Sequence, residues 1–368
     1  MHPDLETIET PAAVVELDRM EANLRRVAEY CRTHGLAWRP HVKTHKSPWL
    51  AAAQIRAGAV GVTVATPREA EVMAESVEDM LLAYPPVGAT KLARLMALPA
   101  GVRLTVGLDS RAALEGLSAA AREAGRTVGV VVEIDVGMGR VGVQTPDDAV
   151  ALAREAAEAT AAEYRGIMFY PGHIRSHVDA QGGEIRAVND RLGPVLEALG
   201  SAGLAPDIVS GGSTPTLWRS HEFEGLTEVR PGTNIFNDRT TAEVGACGSD
   251  ECAYTVLATV VSTSVPGQAV VDAGSKALAK EELRAAGGGY GVVAGRPEVA
   301  VKAVSEEHGI LDLSATEWRP EVGSRVRIVP NHVCVSVNLQ EWVHGVRDGR
   351  LVESWEVIGR GRSSPAAG

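Results

Sequence analysis

Cysteine and aromatic residues are both scarce in this chain of 368 residues, which has four cysteines and 4% aromatic side chains. Cys31, Cys247, Cys252 and Cys334 are irregularly spaced, which does not suggest the disulfide framework of a secreted protein. Cys247 and Cys252 could form half of a metal site, but no second pair follows, which favours ordinary loop cysteines. We therefore expect a protein of the reducing cytoplasm.

Long apolar runs are also lacking, and basic residues are fewer than acidic ones. No stretch reaches the roughly 18 apolar residues of a transmembrane helix, so no membrane partner is expected. Residues 1–10 are acidic and contain no apolar core, so no secretory signal is expected. Lysine and arginine total 36 against 47 aspartate and glutamate residues, and the resulting formal net charge of -11 argues against a nucleic-acid partner.

Short apolar strands alternate with alanine-rich amphipathic helices over about 200 residues. This alternation predicts parallel β/α units, and eight strands predict a (β/α)8 TIM barrel. An open doubly wound sheet is the alternative, but no Gly-x-Gly-x-x-Gly opens a helix after the first strand. The eight predicted strands are Ala37–Val42, Val60–Ala65, Met80–Tyr84, Val102–Leu108, Gly129–Ile134, Gly166–Tyr170, Asp207–Val209 and Leu226–Arg230. The predicted helices include a first one from Asp18 to Thr33, then Pro67–Ser76, Lys91–Ala97, Arg111–Ala124, Thr145–Ala159 and Ala187–Ala202.

The pattern changes near Ala246, after which alternating, β-rich segments are separated by Gly, Pro and Asp. This sequence pattern predicts a second, mostly antiparallel β domain. We place the barrel at residues 1–245, the β domain at 246–360 and a disordered tail at 361–368. An N-terminal strand at Ala12–Leu17 precedes the first helix. Predicted strands of the second domain are Val256–Ser264, Gln268–Val271, Arg325–Ile328, Val333–Leu339 and Leu351–Ile358.

The stretch Trp38–Lys46 places three cations and two histidines at the end of the first barrel strand. Lys43 lies between apolar neighbours, where a lysine that forms an imine would be expected. Burial disfavours the ammonium form of a lysine and makes its amine more nucleophilic. A solvated basic loop is the alternative interpretation.

Two glycine-rich loops follow predicted strands seven and eight, where barrel enzymes often bind phosphate. Their small residues, backbone N–H groups and hydroxyls are suited to a phosphate dianion. The first loop is Ser210, Gly211, Gly212, Ser213 and Thr214, and the second contains Gly232 and Thr233.

Three further side chains follow other predicted strands: Arg140, Tyr170 and His173. Together with Lys43 and the two loops, they describe a site for pyridoxal 5'-phosphate (PLP), whose aldehyde bonds to a lysine and whose ring needs an orienting face. Each has an ordinary alternative, because Arg140 could be a surface cation and Tyr170 a core aromatic residue.

His332 and Cys334 fall in a predicted strand, in which residues i and i+2 point to the same side. Their nitrogen and sulfur atoms would suit zinc, and two protein ligands would leave positions open for water or substrate. The alternative is a buried cysteine beside a strand histidine. The cluster Ser305–Gly309 could orient these ligands or form a turn.

Taken together, these motifs resemble the D-serine dehydratase and D-threonine aldolase family of fold-type III PLP enzymes, distant relatives of alanine racemase. The resemblance extends nearly from end to end of the chain. The matching stretches are Arg39–Lys46, Gly61–Thr66, Asp135–Arg140, Ser210–Thr214, Arg230–Thr233, Asp272–Lys276, Ser305–Gly309 and Pro330–Cys334.

The resemblance implies that Lys43, rather than Lys46, bonds to the cofactor and that Arg140 contacts its ring oxygen. It implies that the Gly211–Thr214 loop with Gly232 and Thr233 holds the phosphate. It also implies a divalent metal, zinc or manganese, on His332 and Cys334, and a homodimer with shared active sites.

The family contains two chemistries, both acting on small D-amino acids with a β-hydroxyl. Its aldolases tend to carry His-x-Asp at the metal position and its dehydratases His-x-Cys. Because this chain has His332-Val333-Cys334, a D-serine or D-threo-3-hydroxy amino acid dehydratase is expected, with Lys43 removing the α proton. The alternative is a D-threonine aldolase, in which His173 or a metal-bound water would be the base. An amino-acid racemase and a non-catalytic PLP carrier are further alternatives.

Overall fold

The computed structural model describes residues 5–283 and 288–361. These residues form two compact units. One is Arg25–Gly232 with the C-terminal segment from Gly359, called here the barrel unit. The other is Thr233–Ile358 with the N-terminal residues up to Leu24, called the β unit. The sequence-based boundaries, 1–245 and 246–360, remain a prediction, and they do not anticipate that the first strand pairs within the β unit. Of the predicted disordered tail, residues 362–368 lie outside the described residues.

The helices and strands alternate through the barrel unit and give way to strands in the β unit. In chain order the strands are β1 (Ala12–Glu16), β2 (Ala37–Trp38), β3 (Val62–Val64), β4 (Asp79–Leu82), β5 (Arg103–Leu108), β6 (Val128–Ile134), β7 (Ala162–Phe169), β8 (Ile208–Gly211), β9 (Glu228–Val229), β10 (Tyr254–Ser262), β11 (Gln268–Val271), β12 (Gly291–Val293), β13 (Arg296–Val304), β14 (Gly309–Asp312), β15 (Arg325–Pro330), β16 (Trp342–Arg347) and β17 (Arg350–Glu356). The helices are α1 (Leu17–Thr33), α2 (Pro48–Arg56), α3 (Pro67–Met73), α4 (Ala89–Met96), α5 (Arg111–Glu123), α6 (Pro146–Glu158), α7 (Gly182–Ser201), α8 (Arg239–Glu243), α9 (Ser275–Leu278) and α10 (Val333–Leu339).

The barrel unit confirms the predicted (β/α)8 architecture. Among the described residues its eight strands form one parallel sheet in the order β2-β9-β8-β7-β6-β5-β4-β3. A single parallel bridge between His41 and Thr63 joins the two ends of this sheet. Strand residues such as Val130 and Val132 are fully buried, which is why these strands read as continuous apolar runs. All eight predicted strands overlap observed ones, and their carboxyl ends therefore lie at one end of the barrel.

Threonine caps the start of two helices in the barrel unit. Thr66 accepts a hydrogen bond from the Glu69 N–H at the start of α3, and Thr145 does the same for Asp148 at the start of α6. Each of these two helices has proline in its first turn, where the fixed φ angle suits a helix and no N–H is missed. The cap and the proline therefore fix where each of these two helices begins. None of the helices within the described residues is long and apolar enough to cross a membrane.

A buried ion pair joins the first and last strands of the barrel. Arg39 Nε lies 2.9 Å from Glu228 Oε2, and the two side chains are 8% and 5% exposed. Arg39 Nη1 also lies 2.5 Å from Asp79 Oδ1, and Ser210 Oγ donates to Glu228 Oε1 at 2.6 Å. The pair therefore connects β4, β8 and β9 to the segment that leads to Lys43.

Replacing Arg39 by alanine is expected to destabilise the protein by about 3–5 kcal/mol, because it leaves the Glu228 carboxylate buried without its cation. Thermal and urea unfolding midpoints measure this loss. Arg103→Ala is the matched control, because Arg103 pairs with Asp79 at the surface, where its side chain is 72% exposed, and should cost no more than about 1 kcal/mol. Equal losses in the two variants would contradict a structural role for the buried pair.

The β unit confirms the predicted, mostly antiparallel β domain. Its nine strands in the described residues are ordered β11-β14-β13-β12-β15-β10-β1-β16-β17. Because β11 pairs with both β14 and β10, six of these strands close into a ring. β1 lies beside that ring, antiparallel to β10 and parallel to β16. The chain's first strand is thus an interior strand of its last sheet.

The predicted strand Val333–Leu339 is wrong, because this segment is the helix α10. Alternating β-branched residues predicted a strand, but contacts from distant residues favour the helix. Asp238 Oδ2 accepts a hydrogen bond from the Val333 N–H at 3.0 Å at the start of the helix. Ser336 Oγ donates to the Ala277 carbonyl at 2.7 Å and lies 2.9 Å from Tyr254 Oη. Tertiary hydrogen bonds therefore override the local β propensity.

Candidate active site and candidate metal site

The segment around Lys43 is a tight turn rather than the end of a strand. β2 ends at Trp38, and Val42–Thr44 forms a short 3-10 helix that places Val42 and Thr44 in the core. His41 precedes the turn, and its Nδ1 accepts a hydrogen bond from the Lys43 N–H at 3.5 Å. Because the two flanking side chains turn inward, the Lys43 side chain turns outward.

The two histidines of this segment are buried, and each accepts a hydrogen bond from a backbone N–H of the same segment. His45 Nδ1 accepts from the Ser47 N–H at 3.1 Å, so its Nε2 is the atom that donates to Gln54 Oε1, also at 3.1 Å. Burial lowers the pKa of His45 to about 4. Burial and the charge of Lys43 also hold the pKa of His41 well below its usual range. Both imidazoles are therefore neutral at pH 7 and contribute packing rather than charge.

Lys43, Tyr170 and Arg140 are brought together at the carboxyl end of the barrel strands. Lys43 Nζ lies 5.9 Å from the centre of the Tyr170 ring, and Arg140 Cζ lies 4.9 Å from the same centre. Both cations are exposed and Tyr170 is half-buried. The expected burial of Lys43 is therefore wrong for the protein alone, because the turn directs this side chain outward.

Arg230 is a charged residue of this site that the sequence reasoning did not assign. Its guanidinium is buried, and Nη2 donates to the carbonyls of Phe169 at 2.7 Å and Ser210 at 3.4 Å. Its Nε has no hydrogen-bond partner among the described residues. The sequence feature that could have identified Arg230 is its position in Arg-Pro-Gly-Thr, directly after a barrel strand. An unpartnered buried donor here fits an acceptor atom of a ligand.

A buried carboxyl, Glu133 at the end of β6, lies near these cations. Burial raises the pKa of Glu133, while the charges of Arg230 and Arg140 oppose that shift. Burial of Arg230 lowers its pKa, whereas the negative charges of Glu133 and Glu228 raise it. Glu133 and Arg230 are therefore close enough to shift each other's pKa.

The two predicted phosphate loops meet, although not every predicted hydroxyl is available. Thr214 Oγ1 accepts from the Gly232 N–H at 3.3 Å, which joins the loops. Ser213 and Thr216 hold the first loop through hydroxyls 3.0 Å apart. The Ser210 hydroxyl instead donates to Glu228, so it serves the buried ion pair.

Three glycines allow close packing in these loops. Gly212 has a φ of +79°, a conformation that favours glycine. A Cβ on Gly211 would lie against the Phe169 ring. A Cβ on Gly232 would lie 2.8 Å from the His41 carbonyl oxygen and 3.0 Å from Thr44 Oγ1. The second loop can therefore approach the Lys43 turn only with glycine at this position.

Gly232→Ala is expected to weaken PLP binding by about tenfold and to destabilise the protein by roughly 1–3 kcal/mol, because the new methyl group displaces the His41 carbonyl. Fluorescence titration of the cofactor-free protein with PLP and the thermal midpoint measure the two effects. Gly101→Ala is the control, since a Cβ there meets nothing within 4 Å. Unchanged PLP affinity in Gly232→Ala would remove this loop from the cofactor site.

His173 is exposed and lies over the loop after β6. A Cβ on Gly137 would be 3.5 Å from His173 Nε2 and 3.7 Å from Arg191 Nε. Asp135 Oδ1 orders that loop by accepting from the N–H groups of Gly137 and Gly139, both at 3.0 Å. Burial would raise the pKa of Asp135, but these N–H groups outweigh it and lower the pKa. The predicted catalytic role of His173 stays a prediction.

His332 and Cys334 lie at the start of α10, within the β unit. His332 is the residue before the helix, and Cys334 follows in its first turn. The side chain of Cys334 hydrogen-bonds His332 and lies 3.6 Å, Sγ to Oγ1, from Thr233. The predicted pair is thus held together at a helix start instead of along a strand, while Thr233 lies beside the thiol.

A carboxylate also contacts the histidine of this pair. Glu281 Oε2 lies 2.5 Å from His332 Nδ1. Burial alone would lower the pKa of His332, but the Cys334 side chain, the charge of Asp238 and the Glu281 contact raise it to about 10. Within the described ranges no group of three His, Cys, Asp or Glu side chains could hold a metal ion. The donor atoms present are therefore one imidazole and one thiol, a set that fits zinc if water completes the shell.

The Ser305–Gly309 cluster is a turn. Ser305 N–H donates to the His308 carbonyl at 2.9 Å, and Glu307 pairs with Lys276 at 2.7 Å at the surface. This pairing commits Glu307 to Lys276, and the carboxylate found beside His332 is Glu281.

Two family models match this chain. The alanine racemase N-terminal domain model matches residues 15–240, and the D-serine dehydratase domain model matches residues 253–346. The chain belongs to the D-serine dehydratase and D-threonine aldolase family. Members of this family have the fold-type III architecture, and the barrel and antiparallel β sheet described above are its two parts.

Named proteins of this family match nearly the whole chain. D-threo-3-hydroxyaspartate dehydratase of a Delftia species is 35% identical over 97% of this chain and 99% of its own. The crystal structure of D-threonine aldolase from Filomicrobium marinum has a TM-score of 0.91 and 33% identity, over 98% of each chain.

Solved structures of D-threo-3-hydroxyaspartate dehydratase also include a cysteine-to-alanine mutant in the metal-free form and a histidine-to-alanine mutant. The cysteine mutant has a TM-score of 0.88 and 34% identity, over 98% of this chain and 100% of that one. The histidine mutant has a TM-score of 0.89 and 33% identity, over 99% of this chain and 98% of that one.

Proposed function

We propose that this protein is a PLP-dependent lyase of D-β-hydroxy-α-amino acids that also uses a divalent metal, and that its reaction is a dehydration to a 2-oxo acid and ammonia. The observation that carries the proposal is the His332–Cys334 pair, which accompanies a barrel site suited to PLP. Membership in a family of PLP lyases supports the general activity. The chemistry of the pair supports the choice among the family's reactions.

The residues of the barrel unit fit PLP. We assign the cofactor's aldehyde carbon to Lys43, whose amine is exposed beside the Tyr170 ring. Tyr170 and Arg140 would orient the ring, and Arg140 would contact its oxygen. The unpartnered Arg230 Nε is available to an acceptor atom of the cofactor. Gly211, Gly212, Ser213, Thr214 and Gly232 would surround the phosphate, with Thr233 from the following segment.

When bound, PLP supplies an aldehyde that condenses with amines and a ring that takes up the electron pair released when a bond at Cα breaks. This chain's contribution is then to hold the substrate and to move protons. Lys43 would be the amine that removes the Cα proton. The cations Arg140 and Arg230 would favour the anionic form of the cofactor ring and phosphate.

The metal proposed for His332 and Cys334 would supply a Lewis acid for the β-hydroxyl. The nitrogen and sulfur ligands favour zinc over a hard cation such as magnesium, and manganese is the second choice. Two protein ligands leave room for the substrate hydroxyl. Dehydration removes the Cα proton and the β-hydroxyl as water, and Lys43 would be the base for that proton.

The aldolase reaction is the second candidate, because a D-threonine aldolase resembles this chain as closely as the dehydratase does: its structure has a TM-score of 0.91, against 0.88 for the dehydratase. In that reaction the hydroxyl proton is removed and the Cα–Cβ bond breaks, with His173 or water as the base. Cys334 favours dehydration. The mutated histidine and cysteine of D-threo-3-hydroxyaspartate dehydratase have the same order and spacing as His332 and Cys334. His-x-Cys is thus found in a relative named for dehydration.

The test is a product assay with purified protein, PLP and zinc or manganese. D-serine, D-threonine and D-threo-3-hydroxyaspartate are supplied separately, with the L-enantiomers as controls. We expect 2-oxo acid and ammonia in equal amounts from at least one D-substrate. If the products are glycine and an aldehyde instead, the reaction is aldol cleavage and not dehydration. Inversion at Cα, or PLP binding without turnover of any substrate, would favour the racemase and the carrier instead.

We further propose a cytoplasmic homodimer in which each active site uses residues of both subunits. Sparse free cysteines support the compartment, and the family resemblance supports the assembly. Within each chain, residues 1–245 would bind PLP and residues 246–360 would carry the metal.

A further inference from the structure

We infer that Glu281 is a positioning residue for the metal site, acting by holding the imidazole of His332 in the orientation and tautomer that a metal requires. The inference rests on the proposed metal at His332 and Cys334, and it adds a residue outside the motifs of the sequence.

The first observation is a direct contact. Glu281 Oε2 lies 2.5 Å from His332 Nδ1, a hydrogen-bonded contact closer than the roughly 2.7–2.9 Å typical of a charge-assisted N–H···O bond. An ionised carboxylate can only accept, so Nδ1 is the donor and carries a proton. The lone pair of a neutral His332 is then on Nε2, which leaves that atom for a metal.

The second observation is that Glu281 is itself held in place. Asn331 Nδ2 donates to the Glu281 carbonyl at 2.9 Å and to the Gly289 carbonyl at 2.7 Å. Asn331 is buried and is the residue directly before His332. One side chain therefore ties the backbone of the carboxylate to the backbone of the histidine, although the two residues are 51 positions apart.

The other end of the histidine is fixed independently. The Val333 N–H donates to the buried Asp238 at 3.0 Å, and Thr240 Oγ1 donates to the Asn331 carbonyl at 2.7 Å. His332 thus sits between two anchored residues. The remaining freedom is rotation of its ring, which the Glu281 contact removes.

Glu281 is placed to orient the histidine rather than to bind the metal. Among residues 5–283 and 288–361, no three His, Cys, Asp or Glu side chains come together closely enough to hold one ion. A carboxylate on the second nitrogen of a ligating histidine fixes the ring and makes the ligand nitrogen more basic. Loss of such a partner typically lowers metal affinity by about 10–100-fold.

The test measures zinc affinity on the PLP-loaded protein after its metal has been removed. Zinc is titrated against a chromophoric chelator for the natural chain and for Glu281→Gln, Glu282→Gln and His332→Ala. Glu282→Gln is the matched control, because it removes the same charge one residue along and leaves the Glu281–His332 contact in place. We expect Glu281→Gln to bind zinc about 10–100-fold more weakly and Glu282→Gln to change affinity by less than about twofold.

Two further measurements separate positioning from a general structural role. The visible PLP spectrum and the thermal midpoint of the metal-free protein should be the same in Glu281→Gln as in the natural chain. Glu281→Asp, which keeps the charge but shortens the side chain, should bind zinc with intermediate affinity. If the thermal midpoint of Glu281→Gln is lowered, the zinc affinity of Glu281→Asp decides the inference instead.

The outcomes distinguish this inference from the proposed function. If Glu281→Gln binds zinc as tightly as the natural chain while His332→Ala binds it weakly, the inference is overturned and the metal proposal stands. Equal weakening in Glu281→Gln and Glu282→Gln also overturns it, because it would reflect only local charge. A natural chain that binds no zinc, or His332→Ala binding it normally, overturns the metal proposal and the inference together.

Discussion

Lys43→Ala is expected to abolish lyase turnover, with a fall of at least about 10³-fold, and to remove the visible absorption band of the lysine-bound cofactor. Lys43 is the exposed amine beside Tyr170, at the turn that Gly232 packs against. Under the proposed function, this substitution removes both the group that would bond to the cofactor and the base for the Cα proton. PLP retained by the phosphate loops would be free aldehyde, whose spectrum differs. Absorption spectra and product assays at saturating PLP measure the two losses.

Lys46→Gln is the control, because Lys46 is the other lysine of the same segment. Its Nζ lies 3.6 Å from Glu69 Oε1, and its side chain is largely buried, so it is committed to an ion pair. We expect this variant to keep the visible band and most activity. A band that survives in Lys43→Ala and disappears in Lys46→Gln would reassign the cofactor bond to Lys46.

We expect Cys334→Ala to bind PLP normally but to lose the metal proposed for His332 and Cys334. Its lyase activity should fall at least about 100-fold, because a Lewis acid contributes several kcal/mol to such a step. The variant retains one protein ligand, His332, which is too few to hold zinc against water and buffer. Metal content by atomic emission, PLP spectra and product assays are measured on the same preparation. Treatment of the natural protein with a chelator should reproduce the activity loss, and added zinc should reverse it.

Cys247→Ala is the matched cysteine control. Cys247 also lies in the β unit as a partly exposed free thiol, and its Sγ donates to Thr241 Oγ1 at 3.6 Å. This variant should keep both metal and activity. Full activity in Cys334→Ala, or in the chelated natural protein, would remove the metal from the mechanism.

The barrel could be predicted from sequence because its signals are local. Each strand is a short apolar run bounded by Gly, Pro or a capping residue, and each observed barrel strand overlaps a predicted one. The first strand ends early at Trp38, since His41 and the inward-facing Val42 and Thr44 form a turn that no hydrophobic pattern reveals.

The parts of the candidate site that escaped prediction depend on long-range contacts. The helix at Val333–Leu339 is selected by hydrogen bonds to Asp238, Tyr254 and Ala277, none of them near in sequence. Glu281 has no spacing that would link it to His332. Arg230 lies in a quoted motif, but its burial follows only from the closure of the barrel around it.

The position of β1 affects the order in which this chain can fold. Ala12–Glu16 pairs with residues 254–257 on one side and 343–346 on the other, so these contacts span most of the chain. Contacts of such sequence separation form slowly, because a long loop must close first. During synthesis β1 is made first but has no partner until the barrel has been completed, and no second neighbour until the last strands emerge. A fragment that begins at residue 246 would lack this interior strand and would expose the edges of β10 and β16 to pairing with other chains.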